Sequence, residues 1–526
     1  MKKSLFLLFF VPVFCFSQQV FEKYFTMSTF TSGDKVIEIP GIGYFIVAFN
    51  DSVAVDSLGI PFMDFVSGKI CKLNYQGDTV KVFNIGNEDT LFRSLYGQNS
   101  DDFSRDLILT DDGNLLVIGE TESYNASFLY DYDLWLLKFN TNLDLLWMKN
   151  FSIPDSSLIT VFGESCKLAN GNFVIPGTIN YMNTIEYHFR LTEFDTNGNL
   201  VFSKSLLPND LGCLIGVVET STHGFIATGY IWNNISNNDL SPIVIKTDSL
   251  GNVEWYHILP YSGDIHLAQS ITKTNDGNYV YTWENVFYRP GALHKVYMMH
   301  ATKIDELGNE SWTKDYGYTF DHYQRIKELP NGNLMMVGKF TDTLGMGPQG
   351  LLILCNSNGD TLWIRKFSGE PGISFAPIPR CYDGIFTSDG GFILSGETAC
   401  CNFTPNLGWT SSLWVVKTDS LGLITSVSDL PNPETGNTII SLPYPNPCHE
   451  RCTITTLVPP ENANTSGEKG IYLLLFDLQG KQLKKIEIGI GLYQTSIDMN
   501  DLSTGEYVIA LSVNGFNRGV KKVVKD

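Results

Sequence analysis

The side chains in this sequence that are best suited to recognition are aromatic residues with acids and amides beside them. Rings supply stacking area and the neighbouring polar groups supply hydrogen bonds, so such groups suit a glycan or a protein partner. The alternative is that the rings pack against their own loops, since most aromatic side chains are buried. We predict four binding residues of this kind: Tyr130, Trp232, Tyr288 and Trp409.

Sequence motifs for catalysis or metal binding are missing. The chain contains no His-Glu-x-x-His, Gly-x-Ser-x-Gly, phosphate-binding Gly-Lys-Ser/Thr or Cys-x-x-Cys pattern. The eight histidines are dispersed, so we assign no catalytic residue, no metal ligand and no cofactor. Cys448 and Cys452 could form a local disulfide or part of a metal site, and both alternatives stay open.

Charge and composition narrow the class of protein and of partner. The 526 residues contain 56 acidic and 36 basic side chains, a formal net charge of −20, which argues against DNA or RNA as a main partner. With 47 glycines and 13% aromatic residues, the composition is typical of a folded strand-and-turn protein.

One unit repeats seven times between residues 20 and 425. Its first half is a hairpin such as Asp112–Gly119, in which an Asp-Gly or Asn-Gly turn predicts two residues with positive φ. Its second half is another hairpin, clearest at Ile243–Trp255. Two hairpins per unit predict an all-β fold, a seven-bladed β-propeller of four-stranded blades. The turn glycines of the first hairpins are Gly43, Gly113, Gly171, Gly224, Gly277, Gly332 and Gly390.

A propeller also needs a strand that closes the ring. The segment Val20–Phe25 resembles the fourth strands at Trp147–Phe151 and Trp363–Phe367 and is the preferred closing strand, with Leu423–Val427 as the alternative. Tight turns lie on one face of a propeller, and the connections between hairpins and between blades lie on the other. Because these connections are long here, we expect a ligand on the long-loop face, where the four aromatic residues are predicted.

The turn at Thr247–Trp255 resembles the Asp-box of sialidases and related propellers. In that motif a carboxylate holds the turn and the Trp packs between blades, so the resemblance implies a fold and not an activity. A sialidase would also need an arginine cluster and a tyrosine nucleophile. The arginines of this region are far apart in sequence: Arg93, Arg105, Arg190, Arg289, Arg325, Arg365 and Arg380.

The ends of the chain predict export. Met1–Ser17 has two lysines followed by an apolar run too short to cross a bilayer, which is typical of a secretory signal peptide. No later apolar run is long enough for a transmembrane helix. We therefore predict a signal peptide at 1–17, the propeller at 18–428, a linker at 429–441 and a small Ig-like β-sandwich at 442–526.

Four motifs follow one another in the C-terminal domain: Pro445–Pro447, Leu475–Lys481, Asp501–Val508 and the basic end Lys521–Lys525. Together they resemble the type A C-terminal sorting domain of the type IX (Por) secretion system of Bacteroidetes. The resemblance implies passage through the periplasm and translocation across the outer membrane by the type IX secretion machinery. The exported protein is then secreted or held at the outer-membrane surface.

These features predict an exported propeller that acts as a binding, adhesion or scaffold module for a glycan or protein ligand. The alternative is a carbohydrate-active enzyme, a glycoside hydrolase or lyase with carboxylates on the long-loop face. Two convergent carboxylates about 5–10 Å apart in a cleft would favour the enzyme. A flat aromatic face would favour binding.

Overall fold

The computed structural model consists of two compact units, Met1–Gly422 and Leu423–Asp526. All elements of the described chain are β-strands, numbered β1 to β36. Within the described residues there is no helix long and apolar enough to cross a membrane. The structure describes residues 19–25, 30–55, 61–85, 101–121, 132–153, 156–160, 163–181, 186–234, 239–259, 266–288, 295–319, 324–340, 349–368, 379–404, 408–424, 439–440, 443, 447–458, 470–477, 481–489, 491–513 and 516–526.

The first unit is a β-propeller of seven antiparallel blades, which confirms the predicted fold class. Strands that follow one another in sequence pair with each other, and in blade three two short strands share the place of the first strand. Blade one contains β2 (Phe30–Ile39), β3 (Gly43–Val55), β4 (Pro61–Leu73) and β5 (Thr79–Ile85). Blade two contains β6 (Asp102–Leu109), β7 (Leu115–Thr121), β8 (Asp133–Phe139) and β9 (Leu145–Phe151). Blade three contains β10 (Ser156–Thr160), β11 (Cys166–Lys167), β12 (Phe173–Tyr181), β13 (Tyr187–Phe194) and β14 (Leu200–Ser205).

The remaining blades repeat this order. Blade four contains β15 (Gly212–Glu219), β16 (Phe225–Asn234), β17 (Asp239–Thr247) and β18 (Val253–Ile258). Blade five contains β19 (Leu267–Lys273), β20 (Tyr279–Tyr288), β21 (Lys295–Ile304) and β22 (Glu310–Thr319). Blade six contains β23 (Arg325–Glu328), β24 (Leu334–Phe340), β25 (Gln349–Cys355) and β26 (Thr361–Phe367). Blade seven contains β27 (Arg380–Phe386), β28 (Phe392–Thr404), β29 (Gly408–Thr418) and the N-terminal β1 (Phe21–Phe25).

The N-terminal strand closes the ring. β1 pairs antiparallel with β29, with Phe21 opposite Lys417 and Phe25 opposite Leu413. This pairing confirms the preferred closing strand and covers the edge that blade seven would otherwise expose. The alternative strand begins at Leu423, and its residues from 425 onward lie outside the described residues.

The tight turns of the first hairpins differ from the two-residue turns that the sequence predicts. In blade two Gly113 has a φ of 76° and donates its N–H to the Thr110 carbonyl, while Thr110 pairs with Asn114. Only the glycine is left-handed, so the turn is a type I turn followed by a left-handed residue. In blade four that position belongs to His223, with a φ of 60°, and not to Gly224.

The turns of the second hairpins are held by carboxylates. Asp248 accepts the backbone N–H groups of Leu250 and Asn252 at 2.9 and 2.8 Å. Trp255 packs against Gly308 in the same turn of the next blade, where a Cβ atom would lie 3.2 Å from the ring. The structural interpretation of the Asp-box-like turn is therefore confirmed, and these acids stabilise the tight-turn face.

The first strands line the centre of the ring. β2 contacts both β6 and β27, and β19 contacts both β15 and β23. Each first strand ends at the tight turn of its hairpin, so it runs from the long-loop face to the tight-turn face. Residues at its beginning lie nearer to the long-loop face. Apolar clusters fill the space between blades; one contains Phe45, Val47, Leu115 and Val117.

The second unit is a β-sandwich. Its strands are β30 (Ile439–Ile440), β31 (Arg451–Val458), β32 (Ile471–Phe476), β33 (Gln482–Ile488), β34 (Gly491–Asp498), β35 (Gly505–Val513) and β36 (Phe516–Lys525). They form one sheet in the order β30-β31-β34 and another in the order β33-β32-β35-β36. The buried residues of both sheets form one apolar core, with Ile454 from the first and Leu473 and Ile509 from the second.

Candidate functional site

The first strands carry a β-bulge at a repeated position. In blades one, two, four, five and seven the register with the second strand shifts near the middle of the first strand. A bulge leaves its extra residue outside the ladder and re-aims that side chain, which is why bulges are frequent at functional sites. The extra residues are Asp34, Arg105, Ile215, Gln269 with Ser270, and Tyr382.

Glycines on the second strands make room for these bulges. Gly119, Gly229 and Gly396 each pair with the residue just before a bulge. A Cβ atom at Gly396 would lie 1.8 Å from the carbonyl oxygen of Arg380, and one at Gly119 would lie 2.0 Å from that of Phe103. The last glycine of the first-hairpin motif therefore permits the close backbone approach that shapes the channel.

A ring of polar contacts joins the blades, and three of its residues, Lys35, Asp106 and Asp383, directly follow a bulge residue. Lys35 Nζ lies 2.9 Å from Glu164 Oε1 and 3.5 Å from Asp106 Oδ1. Lys327 Nζ lies 2.6 Å from Asp383 Oδ1. These pairs connect blade one with blades two and three, and blade six with blade seven. We call this set the girdle: Lys35, Asp106, Glu164, Ser270, Lys327 and Asp383.

The girdle also binds backbone groups of neighbouring blades. Asp383 Oδ2 accepts the N–H of Val36 at 3.0 Å, which joins blade seven to blade one. Asp106 Oδ2 accepts the N–H of Ser165 at 2.6 Å, which joins blade two to blade three. Each of these carboxylates thus holds both a side chain and the backbone of another blade.

Glu164 is the centre of the girdle. Its carboxylate accepts a hydrogen bond from the Ser270 hydroxyl of blade five. Burial alone would raise the pKa of Glu164, but Lys35, Arg325 and Lys327 outweigh burial and hold this pKa well below its usual range. Glu164 is therefore ionised at neutral pH, and side chains from β2, β19 and β23 close the channel around it.

A second set of charged residues lies nearer to the long-loop face. Its ion pairs are longer: Arg105 lies 3.7 Å from Asp34 and 3.8 Å from Glu120, and Arg380 lies 3.5 Å from Glu397. Charge-assisted hydrogen bonds are typically about 2.7–2.9 Å long. These three ion pairs are longer than that range. We call this set the mouth cluster: Asp34, Arg105, Glu120, Arg325, Arg380, Tyr382 and Glu397.

Two mouth residues are oriented by neighbouring side chains. The Tyr382 hydroxyl donates to Glu397 Oε1 at 2.9 Å and accepts from Arg380 at 3.4 Å. The guanidinium group of Arg105 lies over the Phe103 ring, 4.2 Å from its centroid, in a cation–π contact. The cluster is thus ordered, although its ion pairs are long.

Asp34 has the most unusual acidity in the mouth cluster. Burial raises the pKa of its carboxyl to about 7, more than Arg105 and Arg325 lower it, and Glu397 acts in the same direction as burial. Its side chain is 15% exposed. Asp34 therefore changes charge near neutral pH while it lies within the channel.

Several buried polar atoms on or beside the first strands lack a hydrogen bond among the described residues. They are Ser165 Oγ, Gln269 Nε2, Gln324 Oε1 and Arg325 Nε. Gln269 and Gln324 are 3% and 0% exposed. Buried polar groups are almost always hydrogen-bonded, so these atoms can still form hydrogen bonds with water or a ligand.

In the second unit, motifs that are separate in sequence lie side by side. Within the Asp501–Val508 motif, Glu506 pairs with Val524 and Val508 pairs with Lys522, so this motif lies beside the basic end. The Leu475–Lys481 motif begins with the last two residues of β32, and β32 pairs with the other edge of β35. Only Pro447 of the Pro445–Pro447 motif is among the described residues.

Residues 430–526 match the family model of the secretion system C-terminal sorting domain. The C-terminal unit is a sorting domain. This match confirms the resemblance to the type IX system, and the sorting domain directs the chain to export by the type IX secretion machinery. No curated protein matches the chain.

Solved structures similar to the chain are very distant. A point mutant of NanB sialidase from Streptococcus pneumoniae is 9% identical, with 76% of this chain and 70% of that chain covered and a TM-score of 0.37. The endo-arabinase from Bacteroides thetaiotaomicron VPI-5482 is 10% identical, with 51% and 94% covered and a TM-score of 0.29. Similarity this low carries no argument about activity, and the propeller assignment rests on the strand pairing of this chain.

Three of the predicted aromatic residues lie on strands other than the ones that carry the bulges. These three lie at the long-loop ends of strands and not in loops: Trp232 in β16, Tyr288 in β20 and Trp409 in β29. Tyr130 lies outside the described residues. The half-buried ring of Trp232 stacks on Tyr187 of blade three and meets Tyr230 edge-on, at centroid distances of 5.5 and 4.9 Å. Trp232 therefore packs against its neighbours, and the binding role of all four stays a prediction.

A second sequence pattern, which the four predicted aromatic residues do not follow, indicates residues of the channel. Polar residues interrupt the apolar first strands seven or eight positions before the turn glycine: Arg105 precedes Gly113, and Tyr382 precedes Gly390, by eight. The same spacing places Arg105 and Arg325 in the channel, since Arg325 precedes Gly332 by seven, whereas Arg380 precedes Gly390 by ten. The three arginines of the mouth cluster are Arg105, Arg325 and Arg380.

The cysteine pair belongs to the core of the sorting domain. Cys448 and Cys452 are free and buried, and their thiols are in hydrogen-bonding contact. Burial raises the pKa of Cys452 to about 12. Among the described residues no group of three or more His, Cys, Asp or Glu side chains could hold a metal ion. The local disulfide stays a prediction.

Proposed function

We propose that this chain is an exported propeller that binds a glycan at the long-loop end of its central channel. The supporting observation is the convergence of the mouth cluster from four blades. Guanidinium and amide groups offer donors, and carboxylates offer acceptors, which match sugar hydroxyls that both donate and accept. The buried amides of Gln269 and Gln324 have hydrogen-bonding capacity left for such a ligand.

The shape of the channel favours a glycan over a protein surface. Below the mouth cluster, Glu164 lies within 2.9 Å of Lys35 and 4.0 Å of Lys327 and also bonds Ser270, so the girdle crosses the channel. In this proposal the mouth cluster is the floor of a cup on the long-loop side of the girdle. A sugar residue can enter such a cup, whereas a flat protein surface cannot reach its floor.

A carbohydrate-active enzyme is the second candidate. Asp34 and Glu397 are two carboxyl groups at one site, and burial holds the pKa of Asp34 at about 7. Glycoside hydrolysis uses such a pairing, in which one carboxyl is protonated and another is ionised. The convergence of acids, and not a flat aromatic face, favours this alternative.

The test is a glycan array probed with the full-length chain. The wild-type chain should bind a subset of glycans, and Arg325→Gln should weaken that binding at least tenfold because it removes a donor from the mouth cluster. Arg365→Gln is the matched control, since Arg365 lies on β26 and donates to the Leu421 carbonyl. Failure of the wild-type chain to bind any glycan would contradict the proposal.

The same glycans separate binding from catalysis. Bound glycans are incubated with the chain and analysed by mass spectrometry. Cleavage by the wild-type chain that is lost in Asp34→Asn would support the enzyme, and intact glycans would support a binding module.

We also propose the route and the domain limits: a signal peptide at 1–17, the propeller at 18–428, a linker at 429–441, the sorting domain at 442–526, and secretion or surface attachment through the periplasm. Deletion of residues 438–526 should retain the protein in the periplasm, measured by cell fractionation. Normal surface delivery of the truncated chain would contradict this route.

A further inference from the structure

We infer that Cys448 and Cys452 form a disulfide during export, and that this bond fixes the end of β36, which carries the basic motif Lys521–Lys525. The inference concerns the sorting domain and goes beyond glycan binding. It rests on the proposed route in one respect, because a compartment outside the cytoplasm supplies the oxidising conditions in which disulfides persist.

The two thiol groups lie together in the core of the sorting domain. The Cys448 and Cys452 side chains are 1% and 0% exposed and are in hydrogen-bonding contact with each other. Both are free in this structure, so they represent the reduced pair. A disulfide requires two cysteines whose side chains lie close together, and bond formation here therefore needs little backbone movement.

The segment that begins with Cys448 holds the end of β36. The Cys448 N–H donates to the Val524 carbonyl at 2.8 Å, and the Asp526 N–H donates to the Cys448 carbonyl at 3.1 Å. Lys525 Nζ donates to the His449 carbonyl at 2.5 Å, and the His449 ring lies 3.0 Å from the Asp526 carboxylate. We call residues 448 and 449 the clamp.

Cys452 belongs to the other sheet. It lies on β31 and pairs with Ile497 of β34, whereas the clamp contacts β36. A bond between the two cysteines therefore ties the clamp, and with it the end of β36, to the first sheet of the sandwich. The bond would close a ring of residues 448–452, and so short a ring restricts the rotations by which the clamp could swing away from β31.

A metal ion accounts for the cysteine pair less well. His449 lies between the cysteines in sequence, but its side chain is 81% exposed and lies beside Asp526. Among the described residues no group of three or more potential ligands could hold a metal ion. The contact between the thiols therefore favours a disulfide.

The reaction is a thiol–disulfide exchange. A thiolate of the pair attacks the oxidant, a protein or small-molecule disulfide outside the cytoplasm, and one sulfur of the oxidant leaves as a thiolate. The second cysteine thiolate then attacks the mixed disulfide, which forms the bond between Cys448 and Cys452 and releases the other sulfur. The pair loses two electrons and two protons, and the oxidant takes them up and becomes two thiols.

The bond should form before the core closes. Burial raises the pKa of both thiols, that of Cys452 to about 12, so few thiolates exist in the folded domain at neutral pH. The thiolate is the reactive form, so the unfolded segment reacts faster than the folded one. The same burial then shields the completed bond from reductants.

Peptide mapping detects the bond directly. Free thiols are alkylated in producing cells, the chain is recovered from the medium and the cell surface, and trypsin cleaves after Arg451, which lies between the two cysteines. The map should contain two peptides that are joined through Cys448 and Cys452 and that separate on reduction. The full chain, unfolded and refolded in a glutathione buffer, should give the same joined pair.

Hydrogen exchange measures the effect of the bond on β36. Oxidised and reduced preparations of the wild-type chain are compared, so that no side chain changes. Amides of residues 520–526 should exchange about tenfold more slowly in the oxidised chain, whereas amides of β16 in the propeller should not change. The double variant Cys448→Ser, Cys452→Ser should exchange as the reduced wild type does in both preparations.

The outcomes separate this inference from the proposed route. Alkylated Cys448 and Cys452 in chains recovered from outside the cell would overturn the inference, while the delivery itself would support the route. Equal exchange of residues 520–526 in oxidised and reduced chains would overturn the role of the bond in fixing β36. A chain that stays in the cytoplasm would contradict the route, and the refolded chain then decides the inference, because absence of the joined peptides there would overturn it.

Discussion

Three residues of the girdle directly follow a residue of the mouth cluster on the same strand, yet the two sets hold charge differently. In the girdle, Lys35 and Lys327 lie 2.9 and 2.6 Å from carboxylates, and the acids also bind backbone groups of adjacent blades. In the mouth cluster, Arg380 lies 3.5 Å from Glu397 and the contacts of Arg105 are longer still. The girdle thus contains shorter ion pairs than the mouth cluster, and its acids also hold the backbone of neighbouring blades.

The β-bulge explains how one strand serves both roles. The extra residue, such as Asp34, leaves the ladder, and the next residue, such as Lys35, returns to it. Two consecutive side chains can then both act in the channel at different depths. Removal of a girdle group should therefore lower stability, whereas removal of the Asp34 carboxyl, whose charge is disfavoured by burial, should raise it.

The largest effect is expected for Lys35→Met. This change leaves Asp106 and Glu164 without their nearest cation, and an uncompensated buried charge costs roughly 3–5 kcal/mol of unfolding free energy. Chemical denaturation at pH 7 measures the loss. The mouth variant Arg105→Met is the control and should lose much less, because the contacts of Arg105 are longer. Equal losses of stability in the two variants would contradict the distinction between the girdle and the mouth cluster.

The change of the wild-type chain's stability with pH should also reflect the ion pairs of the girdle. The pKa of Glu164 is held low, so its contribution to stability is present above the unfolded pKa of about 4.3 and is lost as the pH falls through the folded pKa. In Lys35→Met that contribution shrinks, and the stability curve below pH 5 should flatten. A parallel shift of the curve would count against this role for Glu164.

The opposite effect is expected for Asp34→Asn. The pKa of Asp34 is raised to about 7, so its protonated form stabilises the fold up to the unfolded pKa, and stability falls as the pH rises from about 4 to 7. Asp34→Asn should therefore be more stable than wild type by about 2–4 kcal/mol at pH 8, with little difference near pH 4. Denaturation at both pH values measures this, and lower stability of the variant at pH 8 would contradict it.

Local sequence signals predicted the architecture well. The turn glycines indicated the blades, the likeness of Val20–Phe25 to fourth strands indicated the closing strand, and the C-terminal motifs indicated the sorting domain. Each of these features depends on neighbouring residues, through turn conformation or strand pattern. The expected two-residue turns were wrong because a type I turn with one left-handed glycine satisfies the same Asp-Gly sequence.

The site could not be predicted in the same way. Asp34 and Glu397 come together only when β1 closes the ring. In blades two, four and seven the residue before the bulge pairs with a glycine, which one strand alone does not reveal. Trp232 was predicted to lie in a loop, but it lies in β16, because the strands extend further than the apolar pattern indicates.

A smaller effect is expected for Gly396→Ala. The new Cβ atom would lie 1.8 Å from the Arg380 carbonyl oxygen, so β27 has to shift at the bulge, at a cost of roughly 1–3 kcal/mol. Because Arg380 and Tyr382 lie on the shifted segment, glycan binding should weaken more than the stability loss alone explains. Gly113→Ala at an open turn, where no atom lies within 4 Å of a Cβ, separates backbone strain from contact with the bulge. Unchanged binding in Gly396→Ala would show that the bulge does not set the mouth geometry.

The smallest effect on stability is expected for Tyr382→Phe. The change removes a hydroxyl that donates to Glu397 and accepts from Arg380 at 2.9 and 3.4 Å, worth about 1 kcal/mol in a folded protein. If the mouth cluster is a ligand site, glycan affinity should fall several-fold although denaturation curves barely move. The matched girdle change Ser270→Ala also removes one hydroxyl, which bonds Glu164 and accepts from Ile326, and should alter stability more than affinity. The same result in both variants would mean that the two sets of residues are one structural network, because a separate site requires affinity and stability to respond independently.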